Sequence, residues 1–393
     1  MTFLPAYIIY LLSFICTLMA SLYIVPKVIY VANRKRLFDK PDNERKVHVN
    51  IVPNLGGIGI FFSFIIVTSL FITSPLVDKW SYIVASCVVL FLIGVNDDLT
   101  AVSPYKKLMA QFVAAFITVF LADIRINSLH GILGIFQMPY WYSVVFTILG
   151  VMFITNALNL IDGIDGLAGS LGILVTFLLG ICLAGLNNAG GACIAFSIMA
   201  AITGFLRYNI APAKIFMGDT GSLLIGFVIA ILSILFVHSY TVYNPIVTVI
   251  HSHKGAMIVA LSFLFVPIFD SFRVFIKRAI KGTSPFKADR SHLHHYLLDL
   301  GFTHSKSVVI LLTSNILIIT VALLVQDLEP NIAVGCIIAV AGVLFIILYL
   351  MRKNKLAINK AMIEEQKKKQ LVTNSSPPSG IDSQHNDTIA LNS

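Results

Sequence analysis

Charged residues are scarce in this 393-residue sequence, at 12% of the chain, whereas hydrophobic residues make up 57%. Soluble domains carry about 25% charged residues, so this composition excludes an ordinary soluble protein. Runs of about 18 or more apolar residues recur along the chain, and each is long enough to cross a bilayer core of about 30 Å. The composition therefore predicts a membrane protein with many spans.

Cysteine pairs of the C-x-x-C type are absent, and the five cysteines all lie inside apolar runs. We interpret them as small buried side chains, which excludes a disulfide framework or a cysteine-based metal site. The H-E-x-x-H motif of zinc hydrolases is absent as well.

Eleven apolar stretches predict an all-α polytopic membrane fold with about eleven transmembrane helices. Their approximate bounds are 5–27, 55–73, 80–96, 107–123, 141–158, 167–186, 190–206, 221–238, 256–276, 307–326 and 332–351. Because this number is odd, the two ends of the chain are expected on opposite sides of the membrane.

Lys and Arg are distributed unequally between the two sides. Of the 28 basic residues, all but Lys79, Arg125 and Lys254 fall on one side of the predicted spans. Cytoplasmic loops carry an excess of Lys and Arg, so the N-terminus is expected outside and the C-terminus in the cytoplasm. The same bias accounts for the net charge of +9, and no nucleic-acid partner is needed to explain it.

The character of the chain changes after residue 352. We divide the sequence into a transmembrane domain, 1–352, and a polar cytoplasmic tail, 353–393. The tail begins with basic residues that favour a short helix on the membrane surface. Its remainder is polar and is predicted to be disordered.

Five Asp side chains lie in predicted cytoplasmic loops that adjoin apolar spans. They are Asp97 and Asp98 in GVNDDLT, Asp162 and Asp165 in NALNLIDGIDGLAG, and Asp219 in KIFMGDTGS. Ionisable groups at the edge of lipid are costly and usually mark function. Mg²⁺ needs only one or two carboxylates when a substrate phosphate supplies further oxygens. We therefore expect one active site in the cytoplasmic loops that carries out phosphate chemistry, although each motif alone also fits a helix end or cap.

A second polar cluster follows the ninth predicted span. It contains Arg290, His292, His294 and His295 within SPFKADRSHLHH. Because Arg and His donate hydrogen bonds to phosphate oxygens, this pattern favours a diphosphate or sugar site. A zinc site and a solvated polar loop are the alternatives, and no cysteine lies nearby to favour zinc.

Taken in order along the chain, these motifs resemble the polyprenyl-phosphate N-acetylhexosamine-1-phosphate transferases, of the glycosyltransferase 4 type. The stretches that carry the resemblance are HVNIVPNLGG, GVNDDLTAVSPYKKLMAQ, NLIDGIDGLAG, RYNIAPAKIFMGDTGSLLIG and SPFKADRSHLHH. The segment DRSHLHH is similar to the branch of the family that uses UDP-N-acetylglucosamine.

The resemblance implies a multi-pass enzyme of the bacterial cytoplasmic (inner) membrane. It would transfer N-acetylglucosamine-1-phosphate from UDP-GlcNAc to undecaprenyl phosphate, giving undecaprenyl-diphosphate-GlcNAc and UMP, the first membrane step of a cell-surface polysaccharide. Mg²⁺ is the implied cofactor, with Mn²⁺ as an alternative ion. Another UDP-N-acetylhexosamine donor (FucNAc, QuiNAc or MurNAc-pentapeptide), a multi-pass transporter and a homodimeric state all stay open.

The resemblance also implies roles for individual residues. Asp97, Asp98 and Asp219 would be catalytic, and Asp219 and Asp98 would bind the metal. The residues implied in substrate binding are Lys107, Asn159, Asp162, Asp165, Asn209, Phe216, Arg290, His292, His294 and His295. The sequence departs from the family at Ala101, where an acidic or amide residue often stands, so the role of this end of the motif is open.

Overall fold

The computed structural model describes residues 5–37, 52–72, 76–242, 249–282 and 290–375, and these ranges form helices joined by loops. Two shorter turns, one π-helical at Ile117–Leu121 and one 3-10 at Ile132–Gly134, lie between the fourth and the fifth α-helix. The α-helices are α1 (Ala6–Lys35), α2 (Gly56–Phe71), α3 (Val77–Thr100), α4 (Pro104–Phe116), α5 (Tyr140–Ile161), α6 (Leu167–Gly185), α7 (Ala189–Asn209), α8 (Gly218–Val242), α9 (His253–Phe263), α10 (Phe265–Ile280), α11 (Leu293–Asp299), α12 (His304–Val325) and α13 (Pro330–Ser375).

The prediction of an all-helical, multi-pass membrane protein is confirmed for the described residues. Eight of these helices are long and apolar enough to cross a membrane, and the bent pair α9 and α10 would make a ninth span. Helix α2 is apolar but has only 16 residues, fewer than the roughly 20 that a bilayer core requires. The number eleven and the orientation of the chain stay predictions.

The predicted span 256–276 is not one straight helix. It is broken between α9 and α10, whose axes differ by 69°. Pro267 lies in the first turn of α10, where it has no N–H to donate and its ring would clash with the carbonyl of Phe263 in a continuous helix. The buried side chain of Asn315 satisfies the broken ends, since its Nδ2 donates to the Phe263 carbonyl at 3.1 Å and its Oδ1 accepts from Val266 N–H at 3.2 Å.

The predicted cytoplasmic tail, 353–393, is in part helical. Helix α13 runs without interruption from Pro330 to Ser375, so it carries the chain well beyond residue 352. The helix expected in the basic first part of the tail is present and is longer than the short one predicted, while disorder of the remainder stays a prediction. Residues 376–393 lie outside the part that the structure describes.

Helix α8 is the centre of the bundle. It packs against α2, α3, α5, α6 and α9, and its apolar stretch is buried on every side. This explains why its sequence has no polar face. A helix that is enclosed in this way is held rigidly, so the residues at its first turn have fixed positions.

Two glycines allow the neighbouring helices to approach the first turn of α8. A Cβ atom at Gly57 of α2 would lie 2.1 Å from the nitrogen of Gly221, and one at Gly94 of α3 would lie 2.4 Å from the Cα of Thr220. Both distances are far shorter than any real side-chain contact, so only glycine fits. The contact at Gly94 brings the end of α3, with its two Asp residues, next to the start of α8.

We expect Gly94→Ala to destabilise the protein by about 1–3 kcal/mol or more, because the added methyl group overpacks a helix contact that is made by backbone atoms. Gly150→Ala is the matched control, since a Cβ atom at Gly150 would meet nothing within 4 Å, and it should be neutral or slightly stabilising. The fraction of folded protein that survives heating in detergent measures the effect. Equal heat resistance of the two variants would contradict the role of this contact.

Candidate active site

The ends of α3 and α8 bring three carboxylates together. Oxygen atoms of Asp97, Asp98 and Asp219 all lie within 4.8 Å of one another. Asp97 and Asp98 stand in the last turn of α3, and Asp219 stands in the first turn of α8. The sequence analysis expected these motifs to meet in one site, and the geometry fulfils that expectation.

The carboxylate of Asp98 fastens α8 to α3. One oxygen accepts hydrogen bonds from the Asp219 N–H at 2.8 Å and the Asn54 amide at 3.3 Å, and the other accepts from Thr220, through its N–H at 3.1 Å and its hydroxyl at 2.6 Å. Both oxygens are therefore already engaged. These are the contacts of a carboxylate that caps the N-terminus of α8, although it comes from a different helix.

Asp97 is fixed by the turn that ends α3. The N–H of Val102 donates to its Oδ1 at 2.7 Å, and the N–H of Ala101 donates to its carbonyl at 3.0 Å. Ala101 itself has a positive φ of 50°, a conformation that is uncommon for a residue with a Cβ. At the position where the resemblance leads one to expect a polar side chain, the structure has a turn that orients Asp97.

Lys107 pairs with the other two carboxylates of the group, those of Asp97 and Asp219. Its ammonium nitrogen lies 2.7 Å from Oδ2 of Asp97 and 2.6 Å from Oδ2 of Asp219. Lys107 belongs to the first turn of α4 and is partly exposed, with 25% of its side chain accessible. The two Asp residues and the lysine form a compact ionic group at the ends of three helices.

Asn159, near the end of α5, is also part of this group. Its Nδ2 donates to Oδ1 of Asp219 at 3.0 Å and to the hydroxyl of Ser222 at 2.9 Å. These contacts hold the Asp219 side chain in place. Ser222 was not singled out from the sequence, although it stands one turn after Asp219 on the same face of α8.

A cavity of about 340 Å³ opens beside Asp219. It lies between the loop that joins α5 to α6 and the loop that joins α7 to α8. Polar and apolar surfaces contribute to it equally. Its lining comprises Asn54, Asn159, Asp162, Gly163, Ile164, Asp165, Asn209, Phe216, Met217, Gly218, Asp219, Ser222 and His304.

The two Asp residues of the α5–α6 loop both line this cavity. Burial raises the pKa of Asp162 to about 7, and the negative charges of Asp219, Asp98 and Asp165 add to the effect. Asp165 accepts a hydrogen bond from the N–H of Ala213 at 3.2 Å. The predicted placement of Asp162 and Asp165 in one site with Asp219 is therefore observed.

His304 is a cavity residue that the sequence analysis missed. Its Nδ1 lies 3.4 Å from Oδ2 of Asp165. No sequence motif indicates His304 as a site residue, because it is the first residue of α12 and lies far along the chain from the Asp motifs. Asn54 was also missed, although it lies within the quoted stretch HVNIVPNLGG.

Asn209 and Phe216 differ in what they offer to a ligand. Asn209 is buried, and both ends of its amide are engaged, since Oδ1 accepts from Gly166 N–H at 3.0 Å and Nδ2 donates to the Ile215 carbonyl at 2.9 Å. Its contacts tie two loops together, and it also lines the cavity, so its role toward a ligand stays a prediction. Phe216 has 40% of its surface exposed and presents its ring at the cavity.

The histidine segment contacts the carboxylate site through one residue. A Cβ atom at Gly163 would lie only 2.3 Å from Nε2 of His294, so this ring rests against the backbone beside Asp162. Burial lowers the pKa of His294 to about 3, and the neighbouring His295 contributes. The buried ring of His294 therefore disfavours a positive charge, and its predicted role in substrate binding stays a prediction.

Asp270 of α10 positions the start of the histidine segment. Its carboxylate lies 3.0 Å from Nδ1 of His292, accepts from the N–H of Leu293 at 3.1 Å and pairs with Arg273 at 2.6 Å. Arg273 also donates to the carbonyl of Ser291. These bonds fix His292 at the N-terminus of α11.

Arg290 and His295 are not brought to the cavity in the way that the sequence analysis expected. Arg290 is largely exposed and pairs with Asp299 at 3.1 Å, and Asp299 also pairs with Arg352 of α13 at 2.6 Å. Burial and the positive charge of Arg290 lower the pKa of His295. Among the described residues, none of the four predicted members of the histidine segment lines the cavity itself.

Comparison with known proteins identifies the family of this chain. The glycosyl transferase family 4 profile matches residues 80–237, which include the two Asp motifs, Lys107 and Asp219. A Bacillus subtilis (strain 168) protein named probable undecaprenyl-phosphate N-acetylglucosaminyl 1-phosphate transferase is 32% identical over 314 residues, which cover 76% of this chain and 80% of that protein.

Two further relatives extend the range of organisms. The undecaprenyl-phosphate alpha-N-acetylglucosaminyl 1-phosphate transferase of Escherichia coli (strain K12) is 29% identical over 75% of this chain and 78% of its own. The decaprenyl-phosphate N-acetylglucosaminephosphotransferase of Mycobacterium tuberculosis (strain ATCC 25618 / H37Rv) is 32% identical over 68% and 70%, respectively. With its motifs, its bundle of apolar helices and these relatives, the chain belongs to glycosyl transferase family 4 and is a multi-pass membrane transferase.

Proposed function

We propose that this protein transfers N-acetylglucosamine-1-phosphate from UDP-GlcNAc to undecaprenyl phosphate, producing undecaprenyl-diphosphate-GlcNAc and UMP. The observation that carries the proposal is the meeting of Asp97, Asp98 and Asp219 beside Lys107 and a polar cavity. The names of the relatives supply the substrate class, since each contains a polyprenyl phosphate and N-acetylglucosamine. The reaction would begin a cell-surface polysaccharide at the bacterial cytoplasmic membrane.

The carboxylate group suits Mg²⁺, with Mn²⁺ as an alternative. Its donors are hard oxygen atoms on three side chains within 4.8 Å of one another, and Mg²⁺ is usually held by one or two carboxylates together with substrate phosphates. The resemblance implies Asp219 and Asp98 as metal ligands; we propose Asp219 and Asp97 instead, because both oxygens of Asp98 accept hydrogen bonds from the first turn of α8. When bound, the metal would supply positive charge that offsets the charge of the two phosphate groups.

The reaction needs two anions to approach each other. An oxygen of the acceptor phosphate attacks the β-phosphorus of the donor, a new P–O bond forms, and the bond to the α-phosphate breaks so that UMP leaves. A phosphate monoester is already largely ionised at neutral pH because its second pKa is about 6, so no strong base is required. Lys107 would neutralise a phosphate oxygen, and the carboxylates would orient the reacting groups.

The polar cavity would hold the nucleotide part of the donor. Phe216 offers an exposed ring face on which uracil could stack, and Asp162 and Asp165 offer acceptors for its polar hydrogens. His294 rests against Gly163, so it would support the loop that carries Asp162 from behind the cavity lining.

An apolar cavity of about 340 Å³ would receive part of the lipid chain. It has no polar surface and lies along α5, α8, α9 and the start of α10, with Phe146, Ile154, Ile234, Leu264 and Ile268 in its lining. Its lining also includes Ile126 and Leu133 of the connection before α5, so it lies toward the ends of α5 and α8 that are opposite to Asn159 and Asp219. A polyprenyl chain in this cavity would therefore lie on the same helices as the group that receives its phosphate, but toward their other ends.

A panel of donors tests the proposed reaction. Purified protein with Mg²⁺, undecaprenyl phosphate and UDP-GlcNAc should release UMP and form a lipid whose mass identifies undecaprenyl-diphosphate-GlcNAc. UDP-linked FucNAc, QuiNAc and MurNAc-pentapeptide are the competing donors and should react at least about tenfold more slowly, since a site that bonds to the sugar hydroxyls rejects analogues that lack or replace them. Faster turnover of one of them would reassign the donor.

Charge-removing variants should separate the roles of the three carboxylates. Asp97→Asn and Asp219→Asn should lower the rate of UMP release by about 10²–10³-fold, because each removes charge from the reacting group. Asp78→Asn, at the opposite and exposed end of α3, is the control and should keep full activity. A variant of Asp97 or Asp219 that turns over at the control rate would remove that residue from the mechanism.

Asp98→Asn should differ from Asp97→Asn in stability. The amide nitrogen of the new side chain would face donors on Asp219 and Thr220, which leaves a buried group unsatisfied at a cost of about 1–3 kcal/mol. We therefore expect Asp98→Asn to lose both heat resistance and activity, whereas Asp97→Asn should lose activity alone. Thermal unfolding in detergent, measured alongside UMP release, checks this. Equal stability of the two variants would mean that Asp98 does not hold α8.

A further inference from the structure

We propose that Lys107 and the divalent metal compete for the same two carboxylate oxygens, so that metal binding releases Lys107 toward the substrate phosphate. This inference rests on the proposed function and deepens it. Its basis is the position of the Lys107 ammonium group, 2.7 Å from Oδ2 of Asp97 and 2.6 Å from Oδ2 of Asp219. The lysine would thus be an exchangeable counter-cation rather than a fixed clamp.

The hydrogen bonds around the cluster indicate which oxygens a metal can take. Oδ1 of Asp97 accepts from the backbone at Val102, and Oδ1 of Asp219 accepts from Asn159. Both oxygens of Asp98 accept from the first turn of α8. The two Oδ2 atoms held by Lys107 are the ones whose protein partner is a long and movable side chain.

A metal ion and the ammonium group would repel each other if both were bound to these two oxygens. Mg²⁺ binds its oxygens at about 2.0–2.1 Å, so a metal that joined both Oδ2 atoms would lie within about 4 Å of a lysine that stayed in place. Two cations at that distance repel. Lys107 stands in the first turn of α4 on a flexible four-carbon chain, so it can leave by side-chain rotation while the three Asp residues stay in position.

The exchange implies that the metal binds before Lys107 contacts a substrate phosphate. With Lys107 in place, the carboxylates of Asp97 and Asp219 can stay close without a metal, since a neighbouring cation offsets their mutual repulsion. When a divalent ion takes the oxygens, the ammonium group is freed at the edge of the same site. It is then available to a phosphate oxygen at the time when the metal is bound.

Metal binding without nucleotide tests the competition. Mn²⁺ is titrated into the purified protein, and the electron paramagnetic resonance signal of the free ion gives the affinity. Lys107→Met should bind Mn²⁺ more tightly, on the order of tenfold, because the competing cation is gone, while its UMP release falls. Lys106→Met, an exposed neighbour in the same turn, should match the wild type in both. Unchanged or weaker Mn²⁺ binding by Lys107→Met would overturn the inference, since a lysine that only arranges the carboxylates predicts weaker binding.

A second measurement uses the wild-type chain and does not depend on how a variant folds. Brief acetylation followed by peptide mass spectrometry compares Lys107 with Lys106 as the internal reference. Adding Mg²⁺ should increase the labelling of Lys107 relative to Lys106, because the ammonium group loses its two carboxylate partners; a constant or reduced ratio would contradict the exchange. If the wild type releases UMP but shows no competition between Lys107 and the metal, only this inference fails. If the competition is seen but no donor yields UMP, only the proposed function fails.

Discussion

The carboxylate of Asp98 bonds to the first turn of α8, although 121 residues separate it from Asp219. This buried contact depends on the close approach of α3 to α8 at Gly94, because a larger residue there would push the helices apart. Once the contact forms, Asp97 and Asp219 are brought to the same ammonium group of Lys107. The arrangement of charges thus follows from helix packing inside the membrane domain, and the reacting groups gain their positions from the rigid, fully enclosed α8.

The electrostatics of the site are consistent with its location at helix ends. Asp98 and Asp219 lie at the N-terminus of α8, where unpaired N–H groups and the helix dipole favour negative charge. Burial raises the pKa of Asp162 to about 7, and the charges of the other carboxylates add to the effect. A cation at the site would favour the ionised form of this group, because an opposite charge nearby lowers the pKa of a carboxyl.

The sequence predicted the all-helical class and the meeting of the Asp motifs, because apolar run length and the cost of charge at the membrane edge are local properties. It could not predict that Asn209 is used between two loops or that His304 reaches Asp165, since these contacts depend on how distant loops are stacked. Nor could it predict that the ring of His294 packs against Gly163, where burial lowers its pKa to about 3.

The break between α9 and α10 connects the two halves of the proposed site. Pro267 ends the straight path of the span, and Asn315 satisfies the backbone groups that the break exposes. Leu264, at the break, and Ile268 line the apolar cavity, and two residues after Ile268 the carboxylate of Asp270 holds the start of the histidine segment. The 69° bend therefore lies in the wall of the apolar cavity, and α10 continues from it to the histidine segment. One broken span thus contributes to both features through residues that are only a few positions apart.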